Sequence, residues 1–165
     1  MANNYDADAI RKYLKIALGK SKCKKHPVAA VIETIERDYI AGWNGAPTGI
    51  KHDECSRKGY KSGEGLELCP SIHAERRAIS YASKIGMSIN KATLYLNEWF
   101  PCADCAKSII EAGIERIVTP DELYSDEKNF ILVEKLRNTP YNFEMAEKLF
   151  RETGTAIIID PKIKI

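Results

Sequence analysis

The first forty residues alternate between two kinds of hydrophobic pattern. Between residues 6 and 20 the apolar residues recur at spacings of three and four, the period of one face of an α-helix: Ala9, Ile10, Tyr13, Leu14, Ala17 and Leu18. The segments PVAAVIETI (27–35) and DYIAGWN (38–44) are instead rich in β-type residues, and the polar pair Glu36-Arg37 joins them. The pattern predicts an opening amphipathic helix followed by a β-hairpin.

The second half of the chain alternates helical and strand patterns. A helical pattern runs from His73 to about residue 85, and a second one, CAKSIIEAG (105–113), ends at Gly113. Strand patterns follow each helix, and two further helical patterns precede a last strand: KATLYLN (91–97), IERIVT (114–119), helices near 128–138 and 143–152, and TAIIID (155–160). Such alternation predicts an α/β fold, a three-layer α/β/α sandwich around a mixed sheet of about five strands with parallel neighbours.

Residues 45–70 show little periodicity and are rich in Gly, Lys and Ser, which predicts a long loop. A loop of that length inside a compact domain is usually functional. With 165 residues, 44% of them hydrophobic, the chain can build one domain with a substantial core, and we expect residues 1–165 to form it.

Charge and composition exclude several classes of protein. No apolar stretch reaches the roughly 20 residues that span a bilayer, and the start MANNYDADAI has no signal-peptide core, so we expect a cytoplasmic protein without a membrane partner. The net charge of +2, with no basic stripe interleaved with aromatic residues, argues against nucleic acid as a partner. Five cysteines, an odd number, favour thiolates or metal ligands over a disulfide framework.

Two short motifs carry the chemistry, His73-Ala74-Glu75 and the segment PCADC (101–105). Residues three apart on a helix project from one side, so Cys102 and Cys105 can present two sulfur atoms to one ion, and a helix N-terminus favours their thiolate form. His73 can supply a third ligand. Three protein ligands leave the fourth tetrahedral position for water, which is the catalytic arrangement, and Zn²⁺ matches this set of donors best.

Glu75 is the expected catalytic residue. Zinc lowers the pKa of a bound water towards neutrality, and a neighbouring carboxylate can take a proton from that water and pass it to a leaving amine. Taken alone, the histidine could be a packed or capping residue, and the cysteine pair a redox pair or half of a structural zinc site. Together, H-x-E and P-C-x-x-C form the pattern typical of zinc deaminases.

The sequence resembles the cytidine and deoxycytidylate deaminase superfamily over roughly residues 8–120. The segments that carry the resemblance are HPVAAVI, GWNGAPTGIKH, SGEGLELCPSIHAERRAI, KATLYL and PCADCAKSIIEAGIERIV. Of these, GWNGAPTG and LCPSIHAE most resemble deoxycytidylate (dCMP) deaminases. The resemblance implies a cytidine-deaminase-type fold, a zinc-dependent hydrolase that converts dCMP to dUMP and ammonia, and a homo-oligomer, either a dimer or a hexamer. Some members of the superfamily respond to dCTP and dTTP.

The resemblance also implies a nucleotide site. Asn44 would contact the sugar or phosphate, Gly42 and Gly45 would let the backbone approach the ligand closely, and Ala74 would line the same site. On the residues alone, the pair Asn44-Gly45 is equally typical of a tight turn. Two departures from the family pattern are Trp43, where tyrosine is usual, and the pair Arg76-Arg77. The guanidinium of Arg77 suits a phosphate, although the residue could equally be a surface charge on a helix.

Two further groups of residues are candidates for binding. The loop offers cations for a 5′-phosphate at Lys51, Arg57, Lys58 and Lys61. A subset of dCMP deaminases carries a second, structural zinc, and the resemblance implies Cys23, Cys55 and Cys69 as its ligands, with His26 or His52 as the fourth.

Two alternatives to dCMP deamination remain open. The same chemistry could act on another free nucleotide or nucleoside, or on a base in RNA or DNA. The fold could also be a zinc-stabilised binding module without turnover. Glu75 discriminates against the binding module, because a structural zinc site does not need a carboxylate that is not a ligand.

Overall fold

The five strands form one mixed sheet. The computed structural model describes residues 5–23, 25–61, 63–98, 100–124 and 126–165. Along the sheet the strands have the order β2-β1-β3-β4-β5, with bounds β1 Ala29–Glu33, β2 Tyr39–Trp43, β3 Thr93–Leu96, β4 Arg116–Thr119 and β5 Ala156–Ile159. β1 is antiparallel to both β2 and β3, whereas β4 is parallel to both β3 and β5. The predicted mixed sheet is confirmed, and its parallel neighbours lie in the half that follows β3.

Five α-helices connect or flank these strands. They are α1 Ala7–Lys20, α2 Ala74–Lys84, α3 Ala103–Glu111, α4 Glu127–Leu136 and α5 Phe143–Thr153. Side chains cap three of their N-termini, since Asp6, Asp126 and Asn142 each accept hydrogen bonds from backbone N–H groups in the first turn. The third helix starts two residues earlier than predicted, directly after Cys102. No helix among the described residues is long and apolar enough to cross a membrane.

Hydrophobic cores lie on both faces of the sheet. Leu94 and Leu96 of β3 are buried in a core that also holds residues of α2, α3 and α5. Tyr95, which points to the opposite face, is buried against residues of α1. Every residue of β1 is buried, which explains its continuous apolar run. The three-layer α/β/α sandwich is therefore confirmed.

The two ends of the loop between β2 and α2 lie next to each other. In its described part, residues 45–70 contain one short helix, the 3₁₀ turn Leu66–Leu68, so the predicted long loop is confirmed. At its ends, the N–H of Gly45 donates to the carbonyl of Ile72 at 3.2 Å and that of Ile72 to the carbonyl of Gly45 at 3.0 Å. This pairing fixes the start of α2 beside the end of β2.

Candidate active site

The three predicted metal ligands come together at the N-termini of two helices. His73 and Cys102 are the N-cap residues of α2 and α3, and Cys105 lies in the first turn of α3. Nδ1 of His73 is 3.4 Å from Sγ of Cys102 and 3.3 Å from Sγ of Cys105. The three donor atoms lie within 4.8 Å of one another. One imidazole and two thiols, without a carboxylate among them, fit Zn²⁺ and not Mg²⁺ or Ca²⁺.

The electrostatics of the cluster favour a thiolate. A hydrogen bond from Cys105 lowers the pKa of Cys102 to about 4, against the opposing effect of burial. The same hydrogen bond and burial raise the pKa of Cys105 above its usual range. Burial acts to lower the pKa of His73, but the hydrogen bond to Cys102 and the charge of Glu75 raise it overall. The lowered pKa of Cys102 favours its thiolate, the form that binds a metal ion.

Glu75 lies beside the cluster and is not part of it. It is the second residue of α2 and only 6% exposed. Burial raises its pKa, while the charge of His73 and a hydrogen bond with Cys105 lower it. The group of donors within 4.8 Å of one another does not include the Glu75 carboxylate. A buried carboxylate that lies next to the metal ligands and is not itself a ligand is suited to carrying protons.

Gly42 makes a close approach to α2. A Cβ on Gly42 would overlap the carbonyl oxygen of Ala74 and lie 2.5 Å from the backbone nitrogen of Ala78. The helix backbone occupies the space of a side chain at this position, and the approach of the Gly42 backbone to a ligand stays a prediction. Ala74 is fully buried at this contact. Gly45 does adopt a positive φ, of +150°, where it pairs with Ile72.

The Asn44 side chain is occupied with backbone and hydroxyl partners. Its Oδ1 accepts from the N–H of Val28 at 2.9 Å and from the hydroxyl of Ser21 at 2.6 Å. Its Nδ2 donates to the carbonyl of His26 at 2.7 Å. Asn44 thus holds the segment that precedes β1 against the end of β2, and its contact with a sugar or phosphate stays a prediction.

Arg77 is buried, so its interpretation as a surface charge is wrong. Its guanidinium donates to the carbonyls of Trp43 at 2.7 Å, Gly45 at 2.6 Å and Ala46 at 2.8 Å. It also lies 5.4 Å from the ring centroid of Trp43. Because its fork is engaged with backbone, Arg77 holds the segment after β2, and its role in binding substrate stays a prediction.

Arg76 borders the site with a donor that is not used. Its Nε is buried and has no hydrogen-bond partner in the described part of the chain. The side chain lines a groove of about 370 Å³ between α2 and α3, together with Ser71, Ser80 and Ser108. Its positive charge lowers the pKa values of both His73 and Cys105. Arg76 is therefore a cation close to the metal ligands.

The cations of the long loop differ in their surroundings. Lys51, Lys58 and Lys61 are exposed, whereas Arg57 is only 8% exposed. The Arg57 guanidinium donates to the carbonyls of Glu64 at 2.7 Å and Lys61 at 3.2 Å, which fixes it within the loop. The role of these four cations in holding a phosphate stays a prediction.

The structure does not bring the residues of the predicted second zinc site together. Among the described residues, the one cluster of three or more possible ligands is that of His73, Cys102 and Cys105. Cys23, Cys55 and Cys69 are partly buried free thiols. Nε2 of His26 lies 2.5 Å from a carboxylate oxygen of Glu98, and His52 belongs to no cluster. The sequence spacing of cysteines on separate loop segments does not determine whether they lie close together in space.

Metal analysis of the purified protein tests this geometry. We expect about one zinc ion per chain, and Cys102→Ser should lose it because a weaker oxygen donor replaces a thiolate. Cys55→Ser is the control and should keep the ion. If the wild type held two zinc ions per chain and Cys55→Ser held one, the result would support the second zinc site.

Tyr141 is a residue of the site that the sequence pattern does not reveal. Its ring stacks nearly parallel on the imidazole of His73, with centroids 6.0 Å apart and an angle of 14° between the planes. It lies between two helical patterns, far from both motifs, and no periodic or motif signal marks it.

A family model and several proteins of known sequence match this chain. The model for the cytidine and deoxycytidylate deaminase zinc-binding region matches residues 3–120. ComE operon protein 2 of Bacillus subtilis (strain 168) is 30% identical over 138 residues, which are 84% of this chain and 62% of that protein. The deoxycytidylate deaminase of Mycobacterium phage D29 is 34% identical over 116 residues, 64% of this chain and 87% of that protein. The chain thus spans less than two thirds of the Bacillus relative.

Solved structures share the fold. The dCMP deaminase of the cyanophage S-TIM5, solved in complex with dCMP and dUMP, superimposes with a TM-score of 0.66 over 91% of this chain and 93% of that one, at 22% identity. A diaminohydroxyphosphoribosylaminopyrimidine deaminase/reductase from Thermotoga maritima gives a TM-score of 0.57 over 96% of this chain and 38% of that one, at 24% identity.

Proposed function

Because the chain belongs to the cytidine and deoxycytidylate deaminase family, we propose that it hydrolyses the 4-amino group of dCMP to give dUMP and ammonia. The observation that carries the chemistry is the buried Glu75 beside the cluster of His73, Cys102 and Cys105. The choice of dCMP is supported by the relatives that bear the name deoxycytidylate deaminase.

The residues of the site have distinct tasks in this reaction. His73, Cys102 and Cys105 would hold Zn²⁺, which when bound supplies a Lewis acid that favours ionisation of water. The Glu75 carboxylate accepts a proton from the water whose oxygen forms the new bond to C4 of the base. Glu75 passes this proton to N3 of the base. It then takes the second proton from the new C4 hydroxyl and delivers it to the amino nitrogen, so that the C4–N bond breaks, the C4 carbonyl forms and ammonia leaves. Burial of Glu75 keeps these protons from exchanging freely with solvent.

The phosphate of the substrate needs a cationic partner, and we assign this role to Arg76. A monophosphate brings close to two negative charges, which guanidinium groups meet well. Arg77 is engaged with three carbonyls, whereas the Arg76 side chain lines the groove between α2 and α3 and its Nε has no partner among the described residues. This unpaired donor supports the assignment of Arg76.

Comparison of dCMP with deoxycytidine tests the substrate. We expect kcat/KM to be at least about tenfold higher for dCMP, equivalent to about 1.4 kcal/mol of transition-state stabilisation, because the charge-assisted contact exists only with the phosphate. Ammonia release from dCTP, CMP and adenine nucleotides extends the comparison. Equal kcat/KM values for dCMP and deoxycytidine would indicate that the protein is a deaminase of another substrate.

Arg76→Gln shows whether this residue makes the contact. The variant should lose most of the preference for dCMP, because it removes the phosphate partner, whereas its loss of charge close to the metal ligands affects both substrates alike. Lys107→Gln changes an exposed cation on the neighbouring helix α3 and should leave the preference unchanged. An unaltered preference in Arg76→Gln would assign the phosphate to another residue.

A further inference from the structure

Tyr141 touches the starts of both helices that carry the metal ligands. Its ring stacks on the imidazole of His73, the N-cap residue of α2. Its carbonyl accepts a hydrogen bond of 2.8 Å from the N–H of Ala103, the first residue of α3 and the neighbour of Cys102. One residue of the connection between α4 and α5 therefore contacts both halves of the cluster.

The imidazole of His73 is held differently from the usual metal-bound histidine. Its Nδ1 faces the two thiols. In most metal sites the other ring N–H is held by a carboxylate or a carbonyl, which fixes the plane of the ring. Within the ranges that the structure describes, no residue forms a hydrogen bond with Nε2 of His73. The nearly parallel ring of Tyr141 is a contact that can restrain that plane.

Tyr141 is itself restrained from two directions. Its ring also stacks on Phe143, with centroids 5.9 Å apart and an angle of 13°. The stack with Phe143 and the hydrogen bond of its carbonyl with Ala103 therefore hold Tyr141 from both its ring and its backbone.

We propose that Tyr141 is a positioning residue that holds the His73 imidazole in its metal-binding orientation. Tyr141 lies outside residues 3–120, the part of the chain that the family model matches. The proposal rests on the metal cluster and not on the choice of nucleotide, so a protein that fails to deaminate dCMP would leave it standing.

Zinc release measures this role without any assay of activity. Zinc-loaded protein is mixed with an excess of a chelating indicator, and the rate of colour development is followed. Loss of a group that orients a metal ligand typically weakens metal binding by about 10- to 100-fold, so Tyr141→Leu should release zinc at least about tenfold faster than the wild type. Tyr13→Leu, which removes a stack on Tyr39 in another part of the fold, is the matched control and should release zinc at the wild-type rate.

Tyr141→Phe is the conservative variant and serves if Tyr141→Leu does not fold. It keeps the aromatic ring that stacks on His73, so it should release zinc at close to the wild-type rate. Release at the wild-type rate from folded Tyr141→Leu, or release about tenfold faster than the wild type from Tyr141→Phe, would overturn the proposal.

Discussion

Glu75→Gln is expected to lower kcat for deamination by about 10²- to 10⁴-fold, equivalent to about 3–5 kcal/mol, because the amide keeps the shape of the side chain and cannot carry the proton. Zinc content should not change, since the carboxylate is not among the clustered ligands. Steady-state ammonia release and metal analysis on the same preparation measure both quantities.

A control variant separates loss of the proton carrier from loss of negative charge. Glu111→Gln removes an exposed carboxylate at the end of α3 and should leave kcat unchanged. If Glu75→Gln turned over at the wild-type rate on every substrate, the proton-transfer role would be wrong. If the wild type itself released no ammonia from any nucleotide, nucleoside, RNA or DNA, the result would favour a zinc-stabilised binding module.

The second large effect is expected at Gly42, where β2 meets α2. Gly42→Ala places a methyl group against the Ala74 carbonyl and the Ala78 nitrogen, which are backbone atoms of a helix and cannot swing aside. We expect a loss of about 1–3 kcal/mol in the free energy of unfolding. Because Ala74 lies between His73 and Glu75, a helix that shifts to relieve the overlap also displaces a ligand and the proton carrier. Activity should fall by up to about 10²-fold beyond the loss of folded protein.

Chemical denaturation and kcat measured on the same samples distinguish these two effects. Gly19→Ala is the matched control, because no atom lies within 4 Å of the added methyl group and the residue is inside α1. It should be neutral or stabilise the protein by up to about 1 kcal/mol. Equal stability and activity in Gly42→Ala would show that the sheet and the helix can separate without cost.

The metal ligands were predictable because their positions depend on local geometry. A spacing of three residues at the start of a helix places Cys102 and Cys105 on one face, whatever the rest of the chain does. The sheet was predictable for a similar reason, since β1 and β3 bury continuous apolar runs and the helices between strands leave few topologies open.

The contacts of Arg77 depend on tertiary structure and could not be predicted. A guanidinium on a helix looks the same in sequence whether it faces solvent, a phosphate or three backbone carbonyls. Its environment depends on the Gly45–Ile72 pairing, which places the segment after β2 over the first turn of α2. The same limit applies to Cys23, Cys55 and Cys69, whose separations in space follow from the path of a loop, and to Tyr141, which reaches His73 from the far end of the chain.

The position of the ligands on two different helices has a consequence for the stability of the whole protein. His73 is separated from Cys102 and Cys105 by 29 and 32 residues, a stretch that contains α2 and β3. A bound ion closes this stretch into a ring and so acts as a cross-link. Closing a ring of that size with a disulfide removes chain entropy worth about 3–4 kcal/mol from the unfolded state. Folding is therefore linked to the concentration of free zinc, and each tenfold rise above the dissociation constant adds about 1.4 kcal/mol until the site on the unfolded chain competes. Zinc scarcity would reduce the amount of folded protein as well as remove the Lewis acid.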